Sequence, residues 1–270
     1  MEMHTMTKKM PALFIGHGSP MNIIEDNSYT RSLKQLGEGL PKPRAILVVS
    51  AHWLTNGTFV TCMDEPRTIY DFYGFPDELY EATYPSPGAP AEAAAAIGAV
   101  KKVSLACDTT WGLDHASWAV LKHLYPRADV PVFEMSLDYT FNDWHPKPLQ
   151  YHYDLAAELG ELRKRGVLII GSGNIAHNLR HIDFENVDAA PYAWAQEFDE
   201  KVKLHLLRGD HAGLLQYRDL GKNAALAVPT LDHYLPMIYA IALQEKGEDI
   251  TFIHEGFQHG SISMRCFQIG

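Results

Sequence analysis

The run Ala12-Leu13-Phe14-Ile15 breaks into Gly16-His17-Gly18-Ser19-Pro20, whose glycines let the backbone turn tightly and carry His17 to the carboxyl edge of a strand. Ile46-Leu47-Val48-Val49 continues into Ser50-Ala51-His52-Trp53, and Val167-Leu168-Ile169-Ile170 ends in Gly171-Ser172-Gly173-Asn174, with His177 close behind. One histidine after a strand is ordinarily a capping or hydrogen-bonding residue. Three strands each ending in one are more informative, because ligands bind at the carboxyl edge of open α/β sheets. Neutral imidazole is the commonest metal ligand, and a histidine-rich, cysteine-free set suits Zn2+ or Fe2+. A mononuclear metal site is therefore the chemistry these residues predict.

Two further histidines are candidates for the remaining positions: His115 in Trp111-Gly112-Leu113-Asp114-His115 and His233 in Pro229-Thr230-Leu231-Asp232-His233-Tyr234. Each follows an aspartate that either orients the imidazole from behind or caps a helix, and the sequence leaves both roles open. The other histidines lack this setting and read as surface or structural residues. Gly171-Ser172-Gly173-Asn174 lacks the third glycine of a dinucleotide fingerprint and the Lys-Ser/Thr of a Walker loop, so nucleotide binding is disfavoured. Ser19 and Ser172 have no nucleophile-elbow context.

The elements that must position these residues are short β-branched runs alternating with segments of helical period. The strand-like runs are 12–15, 45–49, 59–63, 100–105, 130–135, 167–170, 250–253 and 262–267, and the helical ones 29–40, 90–100, 117–125, 148–165, 191–207 and 235–244. This alternation predicts one α/β domain over 1–270, a mixed central sheet flanked by helices with the metal site at the carboxyl ends of its strands, and residues 1–9 as a flexible tail. The last two strands are expected to pair through a turn at 255–260. The stretch 64–90 is irregular and aromatic; Tyr70, Phe72, Tyr73, Phe75, Tyr80 and Tyr84, with Trp53, Trp111 and Trp118, could line a flat aromatic pocket.

Composition narrows the partners. A 46% hydrophobic, 21% charged chain is an ordinary globular protein, and a net charge of −10 repels phosphate backbones and anionic lipid, so no nucleic acid and no membrane is expected. Cys62, Cys107 and Cys266 lie far apart without a CxxC motif and read as buried thiols in a reducing compartment. With no apolar signal or spanning segment, a cytoplasmic monomer or small homo-oligomer is expected.

GHGSPMN near the start, SAHW, WGLDHASW, GSGNIAHNLR and DHYLP stand in an order that resembles the class III extradiol ring-cleavage dioxygenases, and within them the bacterial and plant 4,5-DOPA dioxygenase branch. The resemblance runs from about Met10 to Gly270. It implies that His17, His52 and His233 hold the metal, with His177 a proton-transfer group or fourth ligand and His115 in contact with substrate hydroxyl or bound oxygen. It further implies a catechol such as DOPA as substrate, O2 as co-substrate and a muconate semialdehyde as product. Trp53, Tyr73, Trp111 and Tyr234 are expected to line the substrate site. More distant class III members use two histidines and a carboxylate, whereas DHYLP offers His233 with Asp232 as its only adjacent carboxylate. The branch points to bound Zn2+, with Fe2+ as the ion expected for ring cleavage. Two competing readings keep the same site: a zinc-dependent hydrolase with His177 or His115 as proton shuttle, and a zinc- or ligand-binding protein.

Overall fold

In the computed structural model, which describes residues 9–139 and 147–270, the strands are β1 (Ala12–Gly16), β2 (Ala45–Thr55), β3 (Thr58–Thr61), β4 (Leu105–Asp108), β5 (Val132–Asp138), β6 (Val167–Gly173), β7 (Ile250–His254), β8 (Phe257–Gln258), β9 (Ile262–Ser263) and β10 (Cys266–Ile269). The helices are α1 (Ser28–Gly39), α2 (Asp77–Glu81), α3 (Pro90–Ala99), α4 (His115–Leu124), α5 (Leu149–Glu158), α6 (Gly160–Lys164), α7 (Ala193–Arg208), α8 (His211–Leu215), α9 (Ala224–Ala227) and α10 (Leu235–Ala242). Eight strands form one sheet in the order β4-β3-β5-β2-β6-β1-β10-β7. Its centre, β5-β2-β6-β1, is all parallel, and antiparallel pairs (β3 with β5, β10 with β1 and β7) make the sheet mixed, as expected.

The central strands are apolar throughout because both faces are covered. Phe14, Leu47, Phe133 and Ile169 point to one face, which α3, α5, α7 and α10 cover through Ala93, Leu155, Phe198 and Ile238. Leu13, Ile15, Ile46, Val48, Leu168 and Ile170 point to the other, where α1 and α4 pack through Leu33, Leu36, Trp118 and Leu121. Asn27 starts α1 with a reciprocal capping pair to Thr30, and Gly209, at φ 62°, ends α7 in the left-handed conformation that glycine adopts without a Cβ penalty.

Several expectations are corrected. The run 100–105 contributes only its last residue to β4, and 148–165 breaks at Leu159 into two helices. Strands β7 and β10 do pair, but the connection holds its own ribbon, β8 with β9. Of the residues expected as a tail, only Lys9 is among the described ones, and it bonds Glu245 and Glu248. Cys62 and Cys107 are not buried thiols. The parallel pairing of β3 with β4 brings their Cα atoms to 5.7 Å, and the two sulfurs form a disulfide, so only Cys266 is a buried free thiol. That pairing removes the cysteine argument for a reducing compartment. Among the described residues no helix is long and apolar enough to cross a membrane.

Candidate metal centre and active site

The parallel strands β5, β2, β6 and β1 end along one edge of the sheet, and the histidines gather there. His17 follows β1 directly, and its amide donates to the Gly173 carbonyl at the end of β6 (3.1 Å). His52 lies inside β2 rather than after it, in the irregular stretch where the register with β5 shifts between Val49 and Leu54. Glycine is required at the end of β6. A Cβ on Gly171 would stand 2.1 Å from the Pro236 carbonyl oxygen, and one on Gly173 would stand 2.2 Å from that of His233. The Gly-Ser-Gly end of β6 thus lets the segment leading into α10 lie against the strand, and the Asn174 amide donates to the His233 carbonyl (2.9 Å). The same segment that lacks a nucleotide-binding fingerprint seats His233 beside His17.

Ring centroids measure the gathering: His17 to His52 5.1 Å, His17 to His233 5.2 Å, His52 to His233 5.0 Å, and His52 to His115 4.2 Å. The ring of His177 stacks on His233 at 3.5 Å, 6° from parallel. All five histidines therefore come together. Among the described residues the other histidines stand apart from this cluster, His123 bonding the Asn22 carbonyl and His152 the Tyr239 hydroxyl; His4 and His145 lie outside the described residues.

The hydrogen bonds behind the rings decide which nitrogen faces inward. Ser172 Oγ spends its one proton on the Ala116 carbonyl (2.6 Å), so at 3.1 Å from His17 Nδ1 it accepts, leaving Nε2 of His17 with a bare lone pair. Nδ1 of His52 lies 3.2 Å from the Asp71 carboxylate, and Nδ1 of His233 bonds the Asp232 carboxylate. Nε2 of His17 and Nε2 of His52 stand 3.3 Å apart. Two nitrogens about 2.0–2.1 Å from a tetrahedral zinc ion lie about 3.3–3.4 Å apart, so the donors fit a shared cation in spacing and in kind. Atoms of His17, His52 and His115, and separately of His177, Asp232 and His233, lie close enough to hold one.

Electrostatics agree with ligating rather than protonated rings. Burial, reinforced by neighbouring imidazoles, holds His17 and His177 well below the ordinary imidazole value. Burial also lowers His115, and it lowers His233 despite Asp232. His52 is the exception. Burial opposes its charge, but the Asp71 hydrogen bond with the charges of Asp114 and Asp71 raises it. Among the described residues the ring nitrogens of His177 take no hydrogen bond, so a half-buried neutral base with a free lone pair lies beside the cluster.

The two aspartates beside His115 and His233 take different roles. Asp232 orients His233, whereas Asp114 caps α4 by accepting from the Ser117 amide and receives the Ser50 hydroxyl (2.6 Å). The carboxylate that orients His115 is Asp71, at 2.8 Å from Nδ1, in the loop after β3. The sequence reading missed Asp71 because a loop of that length gives no clue to where a carboxylate docks. It also missed Glu134 of β5, fully buried, which accepts from the Trp111 indole (2.9 Å) and the Ser117 hydroxyl; burial and the neighbouring Asp114 push its acid well above the usual range.

Of the expected substrate-lining residues, two are misplaced. Tyr234 is completely buried, donates to the Leu214 carbonyl and packs on Phe198 and Tyr217, because it faces the core side of the turn that presents His233. Tyr73 is 91% exposed at the loop surface, and its neighbour Phe72 presents its ring edge-on to His115 at 5.7 Å instead. Trp53 and Trp111 stack on one another at 5.5 Å.

An α/β sheet that gathers five histidines along the edge where its parallel strands end, four of them backed by an acceptor, carries a side-chain cluster that could hold a metal ion at a ligand-binding edge. Residues 11–264 match the family described as the catalytic LigB subunit of aromatic ring-opening dioxygenase, and the chain belongs to that family. It is thus an extradiol-type aromatic ring-opening dioxygenase of a metal-dependent family. It is 45% identical to 4,5-DOPA dioxygenase extradiol of Escherichia coli K12 over 266 residues, covering 97% of this chain and 95% of that protein. It is 35% identical to 4,5-DOPA dioxygenase extradiol of Beta vulgaris, with 94% of each covered. The crystal structure of an uncharacterized protein from Escherichia coli K12 superposes with a TM-score of 0.82 at 41% identity, covering 97% of this chain and 100% of that one.

Proposed function

We propose that this chain opens the ring of a para-substituted catechol such as DOPA at the 4,5 position, with O2, to a muconate semialdehyde. The names of the Escherichia coli and Beta vulgaris relatives support the substrate class. The observation that carries the reading is the meeting of His17, His52 and His233 within about 5 Å of one another, with Nδ1 of each tied to Ser172, Asp71 and Asp232. These three are the proposed ligands. The ion is proposed to be Fe2+, because Zn2+ has no redox chemistry to offer O2; Zn2+ is the expected silent occupant of the same donors. The bound ion would acidify the catechol hydroxyls and hold diol and O2 together.

The chain's own residues do the rest. His177, kept neutral by burial, accepts a hydroxyl proton through a free ring nitrogen. His115, oriented by Asp71 through Nδ1, turns the lone pair of Nε2 towards the substrate and accepts a hydrogen bond from a substrate hydroxyl. Phe72, with Trp53 and Trp111, lines the aromatic side and keeps water from the ring. Both oxygen atoms of O2 enter the product as the ring carbon–carbon bond breaks, so the reaction takes no external reductant. A zinc hydrolase or zinc-binding protein would share the site, but the family of the chain is one of ring-opening dioxygenases.

Apoprotein reloaded without air with Fe2+ or with Zn2+ separates these readings when O2 uptake and semialdehyde absorbance are followed with several catechols. Uptake with Fe2+ and none with Zn2+ is expected. A correctly loaded Fe2+ protein that consumes no O2 with any catechol overturns the proposal.

A further inference from the structure

Among the described residues, Asp71 is the carboxylate bonded to two of the clustered imidazoles. Its Oδ2 stands 2.8 Å from Nδ1 of His115 and 3.2 Å from Nδ1 of His52, and its Oδ1 accepts the His115 amide at 2.9 Å. Its side chain is 16% exposed. The loop that carries it is fastened beside the start of α4: the Ile69 amide donates to the Leu113 carbonyl (2.8 Å), the Leu113 amide to that of Arg67 (2.9 Å), and the Tyr70 hydroxyl to that of Ala82 (2.8 Å). A carboxylate held this way accepts only. Each imidazole must bring it an Nδ1–H, and each is then left with Nε2 as the nitrogen bearing a lone pair.

We propose that Asp71 is a positioning residue that sets the tautomer of His52 and His115 together, aiming the lone pair of each Nε2 inward. The proposal rests on the ligand role given above to His52. It assigns the aromatic loop a task beyond lining a pocket: the loop supplies the acceptor without which two ring nitrogens have no fixed polarity. Ser172 and Asp232 do the same for one ring each, from β6 and from the turn before α10.

Asp71→Asn tests this because it keeps shape and hydrogen-bonding capacity while reversing polarity. With its amide oxygen on the His115 N–H, the amide NH2 faces both imidazoles and demands Nδ1 as acceptor, which moves each ring proton to Nε2. The readout is Zn2+ affinity of the apoprotein by competition with a chromophoric chelator, together with histidine nitrogen NMR. We expect about a 10–100-fold loss of affinity for Asp71→Asn, a smaller loss for Asp71→Ala, which removes the acceptor without inverting it, and a His52 ring that changes tautomer in the Asn variant. Leu79→Ala loosens the same loop from its buried anchor without touching a ring nitrogen, and its affinity is expected to match the wild type. Asp71→Asn binding Zn2+ like the wild type, an unchanged His52 tautomer, or an equal loss in Leu79→Ala each overturns the inference. Should Asp71→Asn fail to fold, the Asp71→Ala and Leu79→Ala comparison decides alone. Wild-type apoprotein that binds no Zn2+ defeats the ligand assignment instead, a separate outcome.

Discussion

Gly173→Ala places one methyl group at the point where three parts of the centre meet. The added carbon would lie 2.2 Å from the His233 carbonyl oxygen, 3.0 Å from Pro236 Cγ and 3.2 Å from the His233 carbonyl carbon. Ordinary contact begins near 3.4 Å, so the His233 backbone must retreat by about 1 Å, and a relaxing core of this density absorbs little of that. The retreat pulls His233 from the Asn174 amide, and the His17 amide, which bonds Gly173 itself, is strained from the other side. Overpacking of this kind costs about 1–3 kcal/mol, small against the roughly 5–15 kcal/mol of a folded domain, so the variant is expected to fold with a lowered Tm. A displacement of about 1 Å in a catalytic group can cost about 100-fold in rate, so O2 uptake by the Fe2+ form should fall about that much, with weaker Zn2+ binding by the apoprotein. Gly98→Ala in α3, where the methyl meets nothing within 4 Å, is the control and should leave both unchanged. A folded Gly173→Ala protein that binds Zn2+ and turns over within about threefold of the wild type refutes the account of how β6 seats His233.

His177→Ala is expected to retain its metal, measured by elemental analysis, while losing catechol cleavage; normal turnover would remove the proton-transfer role. His152 is buried, with its pKa lowered to about 4 by burial. A histidine whose folded pKa is depressed destabilises the fold as pH drops below its unfolded value, so wild-type stability should fall by up to about 1.4 kcal/mol per pH unit between about 6.5 and 4 from this group. Chemical denaturation of His152→Leu should show a shallower slope over that window, and an identical slope would reassign the titration. Thiol counting under denaturing conditions should find Cys266 alone, and Cys107→Ser should lose stability through the loop of 45 residues that the disulfide closes, by about 4 kcal/mol on chain-entropy reasoning. Three reactive thiols would contradict the bridge.

What the sequence made legible follows from the range of its physics. The apolar runs at 12–15, 45–49 and 167–170 are continuous because their strands are covered on both faces, so β1, β2 and β6 and the histidines that follow those runs could be read locally. His115 and His233 stood out through their aspartates, yet only the fold separates Asp114, a helix cap, from Asp232, a partner of its histidine. Asp71 and Glu134 act through contacts distant in sequence, and nothing local marks either. Tyr234 misled because its neighbour His233 faces the site while it faces the core. Cys62 and Cys107 misled for the same reason in reverse: the pairing of β3 with β4 joins residues that no spacing rule connects.

The three proposed ligands come from just after the first strand, from the second, and from the turn just before α10. On the proposed ligand set, a growing polypeptide holds only part of the cage until residue 233 has left the ribosome, and neither half of a split protein owns a complete one. Capture of the ion is then a late event in biogenesis that fastens early-made segments to late-made ones.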